Sequence, residues 1–176
     1  MSDTPKRLIF PCQRPSQANL SRQPTTSYAS GSSTVYIDGA KHEGLPSDIE
    51  TLTKRNAVRH AKTCIAELAF GDGRRDPAHP KTRHNQAVIA RMLATIPETA
   101  IVDTTPAGWA KAGALAGWLA RTQGFAGDRR GALFNDALLF VTAQELGMTL
   151  LSGNIRDMDM LLQIGGPADV LLYALD

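Results

Sequence analysis

Helix, glycine, strand and a second helix follow one another between residues 134 and 163, and few architectures accept that order. Phe134-Asn135-Asp136-Ala137-Leu138-Leu139-Phe140 reads as an apolar helix opened by Asp136, and Gly147 closes it. Met148-Thr-Leu-Leu151 is then a short, uniformly apolar strand, and Asn154 to Asp157 form a polar cluster ahead of a helix to about Gln163. A strand that is apolar on both faces needs cover on both faces, which is the habit of parallel sheets with helical crossovers.

The rest of the chain repeats the alternation. Thr34-Val-Tyr-Ile-Asp38 reads as a strand, and Ser47 with Glu50 reads as a capping box for a helix that buries Ile49 and Leu52. Val58 to His60 is a brief strand or connector. Thr63 caps a helix through Glu67 that stops at Gly71-Asp-Gly73, and a polar loop covers 71–84. Gln86 to Thr95 is helical, Ala100 to Val102 a strand, and Thr105-Pro106 a cap and first residue for a helix to about Gln123. Gly113 and Gly117 on that helix leave room for a neighbouring backbone. Gly124 to Gly131 is a basic loop, and Asp169 to Tyr173 a last strand. Residues 1–33 differ: four prolines, many Ser, Thr and Gln, and four basic residues against one acid describe a flexible basic N-terminal tail, with the folded domain at 34–176.

Composition narrows the class. At 176 residues, 43% hydrophobic and 20% charged, the chain can bury one core, and a net charge of +2 shows no broad polyanion-binding surface in the totals, so nucleic-acid binding would come from a local arrangement. Cys12 and Cys64 make neither a disulfide framework nor a zinc spacing, and no apolar run reaches the length of a membrane span; a cytoplasmic protein with no membrane partner is expected.

The chemistry rests on acids at element ends. Asp38 follows a strand, Glu67 interrupts an apolar helix, Asp136 opens a helix, and Asp157 follows a strand. Parallel sheets gather ligands at the carboxyl ends of their strands, where acids distant in sequence converge. Converging carboxylates must protonate or bind a cation, and oxygen ligands favour Mg²⁺ or Mn²⁺ over zinc. Such an ion activates water and stabilises charge on a phosphodiester. Each acid also has an ordinary explanation: a helix N-terminal acid for Asp136, a cap pair for Asn154 and Asp157, a turn former for Asp38.

Thr63-Cys-Ile-Ala-Glu67-Leu, Asn135-Asp136-Ala-Leu-Leu and Met148-Thr-Leu-Leu-Ser-Gly-Asn154-Ile-Arg-Asp157 together resemble the acidic motifs of PIN-domain ribonucleases, with the VapC-type toxins of toxin–antitoxin pairs as the nearest match. The resemblance covers about residues 34–173. It implies a three-layer α/β/α fold with a central parallel sheet, Mg²⁺- or Mn²⁺-dependent hydrolysis of RNA, a homodimer, and an antitoxin that blocks the site. It maps Glu67, Asp136 and Asp157 onto the second, third and fourth metal-binding acids, with Asn154 as the supporting polar residue and Asp159 as a weaker substitute for Asp157.

The first acid has two registers. With Val35 to Ile37 as the leading strand, Asp38 is the catalytic acid; with the motif's later piece at Val35 to Asp38, its place falls near Ser32, which is no carboxylate. The apolar character of Val35 to Ile37 favours Asp38. The second register describes a catalytically impaired PIN-like domain that binds protein or RNA without cutting it.

Arg74, Arg75, Lys81 and Arg83, with Arg129 and Arg130, are basic loop residues able to grip RNA phosphates. The four histidines share no ligand spacing, and no glycine loop suits a dinucleotide. Trp109 and Trp118 are nine residues apart on a helix of small residues, where packing in the core or between copies is expected before base stacking.

Overall fold

The computed structural model describes residues 46–124 and 128–173 together with the strand Leu8–Ile9, with backbone alone for Leu8, Ile9, Asp128 and Arg129. The elements run β1 (Leu8–Ile9), α1 (Ser47–Arg55), β2 (Val58–Ala61), α2 (Lys62–Gly73), α3 (Thr82–Ala94), a 3-10 turn (Glu98–Ala100), β3 (Ile101–Val102), α4 (Pro106–Thr122), α5 (Asp128–Leu146), β4 (Thr149–Ser152), α6 (Ile155–Gly165) and β5 (Val170–Leu172). The five strands pair in parallel in the order β3-β2-β1-β4-β5.

That order corrects the reading of the N-terminus. Leu8 and Ile9, assigned to a flexible tail, form the middle strand: Leu8 pairs with Val58 on one side and Thr149 on the other. The place given to Val35–Ile37 as the strand leading the fold is thus held by Leu8–Ile9. Asp38 itself and the rest of 10–45 lie outside the described residues.

α5 organises the core. Every residue from Asp136 to Ala143 is buried, and Leu139, Phe140 and Val141 are wholly enclosed. A helix apolar on nearly all sides has to be surrounded. It packs on α4, α6 and β4, with Leu119, Leu150, Met158 and Leu161 in the same cluster. β4 is buried at all four positions, as its unbroken apolar run requires. Gly147, at φ 58°, turns the chain out of α5, and the Met148 amide bonds the Ala143 carbonyl at 2.9 Å.

Several boundaries differ from the sequence expectation. α5 starts at Asp128, two turns before Asp136, and takes in Arg129 to Gly131, whose sequence reads as a loop. Ser47 is the first helical residue of α1, with Pro46 rather than a serine hydroxyl at the cap, and α2 starts before Thr63 with no side-chain cap. α3 starts at Thr82, shortening the loop read at 71–84. The cap at Thr105 is present: its hydroxyl accepts from the Gly108 amide at 3.0 Å, with Pro106 in the first turn.

Small residues on α4 do allow close approach, at Gly108 and not at Gly113 or Gly117. A Cβ on Gly108 would lie 1.8 Å from Thr104 Oγ1, whereas one on Gly117 would meet nothing within 4 Å and one on Gly113 only Phe134 at 3.7 Å. The space beside Gly108 is filled by Glu145, near the end of α5. Its carboxylate accepts from the hydroxyls of Thr104 and Thr105 and from the Thr105 amide, fastening α5 to the start of α4. The hydrogen bond from Thr104, then that from the Thr105 amide, hold the Glu145 carboxyl below its ordinary range.

Candidate metal-binding acidic site

The strand order reverses direction at β1 and β4, and open parallel sheets form their ligand crevice at such a reversal, outside the carboxyl ends of the strands. The chain leaving β4 there is Gly153-Asn154, and Asn154 caps α6: its Oδ1 accepts from the Asp157 amide at 3.3 Å. The capping explanation of Asn154 is therefore correct, and incomplete. Its Nδ2 donates one hydrogen to Asp136 Oδ2 at 2.9 Å and the other to Asp157 Oδ2 at 3.0 Å. The Asn154 amide is fixed in turn by the wholly buried Ser152 hydroxyl, which accepts from it at 3.0 Å.

Asp136 is not a cap. It lies in the third turn of α5, 3% exposed, so free N–H groups at a helix start cannot explain it. An aspartate at that depth in an apolar helix is costly unless its charge is used. The residue before it, Asn135, reaches the other way, and its side-chain amide donates to Glu67 Oε1 in the second turn of α2. Two carboxamides thus serve three acids: Asn135 donates to Glu67, and Asn154 donates to both Asp136 and Asp157.

All the ligating atoms offered are oxygens, which suits a hard divalent cation. Among the described residues no group of three His, Cys, Asp or Glu side chains stands close enough to hold a metal. Asp136 and Asp157 share the Asn154 carboxamide, and Glu67 is held by Asn135; Asp38, the remaining candidate, lies outside the described residues. Asp159 turns away from the core and accepts from Gln163 at 3.0 Å on the exposed side of α6.

The basic candidates lie elsewhere. Arg74 and Arg75 follow the C-terminal end of α2, about 10 Å along the helix from Glu67. The Arg74 guanidinium lies over the Phe70 ring at 5.7 Å, and Arg75 stands 3.2 Å from Asp72 as a charge contact rather than an aligned hydrogen bond. Arg130 is exposed in the first turn of α5, and the Arg129 side chain lies outside the described residues.

Three contributors escaped the sequence reading. Asn135 donates to Glu67 and Ser152 accepts from the backbone amide of Asn154, and nothing in their spacing distinguished them. Asp103 had a legible signal, since it directly follows β3 as Asp38 follows its apolar run. It accepts from the Thr104 amide at 2.8 Å and from the Trp109 indole at 3.2 Å, and it faces Lys62 at 3.4 Å. Neither tryptophan is in the core: Trp109 is 42% and Trp118 44% exposed. No helix among the described residues is long and apolar enough to cross a membrane.

No protein-family model matches the sequence, and no curated protein does. Solved structures do match in three dimensions. The structure of VapBC2 from Rickettsia felis, bound to a DNA fragment from its promoter, aligns over 97% of this chain and 99% of that chain, with TM-score 0.52 and 19% identity. FitAcB from Neisseria gonorrhoeae aligns over 94% and 96%, with TM-score 0.52 and 14% identity. VapBC-5 from Mycobacterium tuberculosis, of the VapBC family of toxin–antitoxin systems, aligns over 97% and 100%, with TM-score 0.50 and 14% identity. At these identities the likeness is one of fold, and the resemblance read from the acidic motifs holds at that level: the chain shares its fold with chains of VapBC toxin–antitoxin structures.

Proposed function

We propose that this protein is a PIN-like toxin: an endoribonuclease with a three-layer α/β/α architecture that hydrolyses RNA phosphodiester bonds with Mg²⁺ or Mn²⁺. It works in the cytoplasm as a homodimer and is restrained by a cognate antitoxin. The observation that carries the reading is the single Asn154 carboxamide shared by Asp136 and Asp157 at the carboxyl end of β4. A buried acid two turns inside an apolar helix, held against a second acid beside a topological switch, has no role in stability that a leucine would not fill better.

Asp136 and Asp157 would hold the ion, with Glu67 and Asp38 as the further candidate ligands. A divalent ion bound there would supply Lewis acidity, lowering the pKa of a water for attack on phosphate at neutral pH. The chain's own residues fix the geometry. Asn154 sets the rotamers of both aspartates, Ser152 sets Asn154, and Asn135 turns Glu67 toward the same edge. Arg74, Arg75, Arg129 and Arg130 hold flanking phosphates through charge.

Cleavage of single-stranded RNA with Mg²⁺ or Mn²⁺, by the wild type and by Asp136→Asn, tests this. The isosteric amide removes one ionic ligand while preserving shape, and a loss of at least a hundredfold in rate is expected, on the order of 3 kcal/mol in the barrier. Cleavage that persists in EDTA, or that Asp136→Asn leaves unchanged, excludes the metal–carboxylate mechanism. A folded wild type that binds RNA without cutting it replaces the nuclease with the impaired binding module.

A further inference from the structure

We propose that Trp109, with Lys62 beside it, forms a nucleobase-stacking subsite for single-stranded RNA at the rim of the acidic site. This rests on the nuclease reading above and adds a contact to the substrate's bases.

The argument starts from how the indole is held. Its Nε1–H donates to Asp103 Oδ1 at 3.2 Å, and the same oxygen takes the Thr104 amide at 2.8 Å, so the acid is pinned to the backbone that leaves β3. The ring packs against Phe134 at 6.0 Å between centroids and a 53° tilt. With its polar atom and one side both committed inward, the indole still leaves 42% of its surface in water. A large apolar ring with few rotatable bonds, fixed at two points and presented to solvent, is the form that stacking platforms take.

Its position ties it to the acids. Trp109 lies in the first turn of α4, which springs from the carboxyl end of β3, on the sheet edge where β4 delivers Asn154 and β2 leads into the helix of Glu67. The Phe134 that backs it immediately precedes Asn135 and Asp136 on α5. α4 and α5 pack as neighbours, so their axes stand about 8–10 Å apart. Lys62, the first residue after β2, places a 64%-exposed side chain 3.4 Å from Asp103. An ammonium beside an indole offers phosphate and base contacts to one nucleotide, and unpaired bases are the ones free to stack.

The chain has two tryptophans, so Trp118→Phe leaves Trp109 as the only indole. Full-length Trp118→Phe protein is titrated in EDTA with a short single-stranded oligoribonucleotide, its blunt duplex, and inorganic polyphosphate. Saturable quenching of Trp109 by the single strand, and not by the base-free polyanion, is expected. Trp109→Ala should weaken binding on the order of tenfold, Trp109→Phe less, and an abasic substitution at the stacked position should erase the difference between wild type and Trp109→Ala. Melting of each variant separates a packing loss from a binding loss. If Trp109→Ala melts early, the quenching titration and Trp109→Phe decide.

Single-stranded RNA that binds by anisotropy while the indole stays unquenched overturns the subsite and leaves the nuclease standing, as does wild-type affinity in Trp109→Ala. A polypeptide partner as the occupant of this face gives that same unquenched result. A wild type that neither binds nor cuts RNA removes the nuclease reading and the subsite together.

Discussion

Asn154 can be perturbed in two ways that the site's geometry distinguishes. Asn154→Ala deletes the cap of α6, worth about 1 kcal/mol, and two hydrogen bonds to carboxylates at 2.9 and 3.0 Å. Asp157 is partly buried, with its Oδ1 enclosed. Asp136 is 3% exposed and loses a donor that water reaches poorly. About 2–4 kcal/mol follows, or roughly 5–15 °C in Tm for a chain of this size. Asn154→Asp keeps the shape and the cap but replaces a two-hydrogen donor by a third carboxylate between two others. In EDTA at neutral pH it should therefore melt below Asn154→Ala, although it is the more conservative change. Lowering the pH, or adding Mn²⁺, should restore it by more than either treatment raises the wild type, because a proton or a cation relieves the repulsion. Melting of the three proteins in EDTA and in Mn²⁺ is the assay. Asn154→Asp as stable as wild type without divalent ions would refute the reasoning, since a donor shared by two carboxylates cannot be exchanged for a carboxylate without cost.

Other consequences follow from the same coordinates. Gly108→Ala drives a methyl into Thr104 and Glu145 and should destabilise by about 2–3 kcal/mol, while Gly117→Ala, facing open space on the same helix, should stabilise by about 0.5–1 kcal/mol; equal effects in denaturant melts would contradict the packing of α4 on Glu145. Burial pushes the His60 imidazole down to about 4. Above the unfolded-state value near 6.5 both states are neutral; as pH falls from there toward 4, the unfolded chain takes up a proton the folded one refuses, and stability is lost. The ring is partly exposed, so screening leaves about 1–2 kcal/mol of that dependence, and His60→Gln should flatten the Tm profile between about pH 7 and 4.5. Leu139, wholly enclosed in α5, should cost about 3–5 kcal/mol on truncation to Ala, read as a lower denaturant midpoint at unchanged slope.

The alternation of helix and strand was legible because each element from β2 onward carries its own pattern, and the parallel sheet followed from strands too uniformly apolar to face water. The middle strand was not. Leu8-Ile9-Phe10 is short, flanked by Pro5 and Pro11, and set in a polar segment, so its local pattern is that of a tail. It becomes a strand by pairing with Val58 and Thr149, partners that no window of sequence brings near it. Val35-Tyr36-Ile37 has the stronger β propensity, which measures fit to a pleated surface rather than membership of a particular sheet. The start of α5 was missed for a related reason. Asp128-Arg-Arg-Gly131 has no apolar face, and its helicity is carried by the buried turns that follow.

The misplaced boundary at α5 bears directly on the acids. An aspartate at a helix start explains itself, and an aspartate in the third turn of the most buried helix does not. What the sequence could not reveal is how two of the acids, Asp136 and Asp157, are held side by side. Asn154 resolves that, since its carboxamide donates to both acids, which would otherwise face one another across low-dielectric space, while Asn135 donates to Glu67. After Leu8–Ile9 the sequence reads Phe10-Pro11-Cys12-Gln13, without a carboxylate, and the next acid in the chain is Asp38. The Asn154 carboxamide thus does for Asp136 and Asp157 what a bound cation would do: it lets two like charges sit side by side.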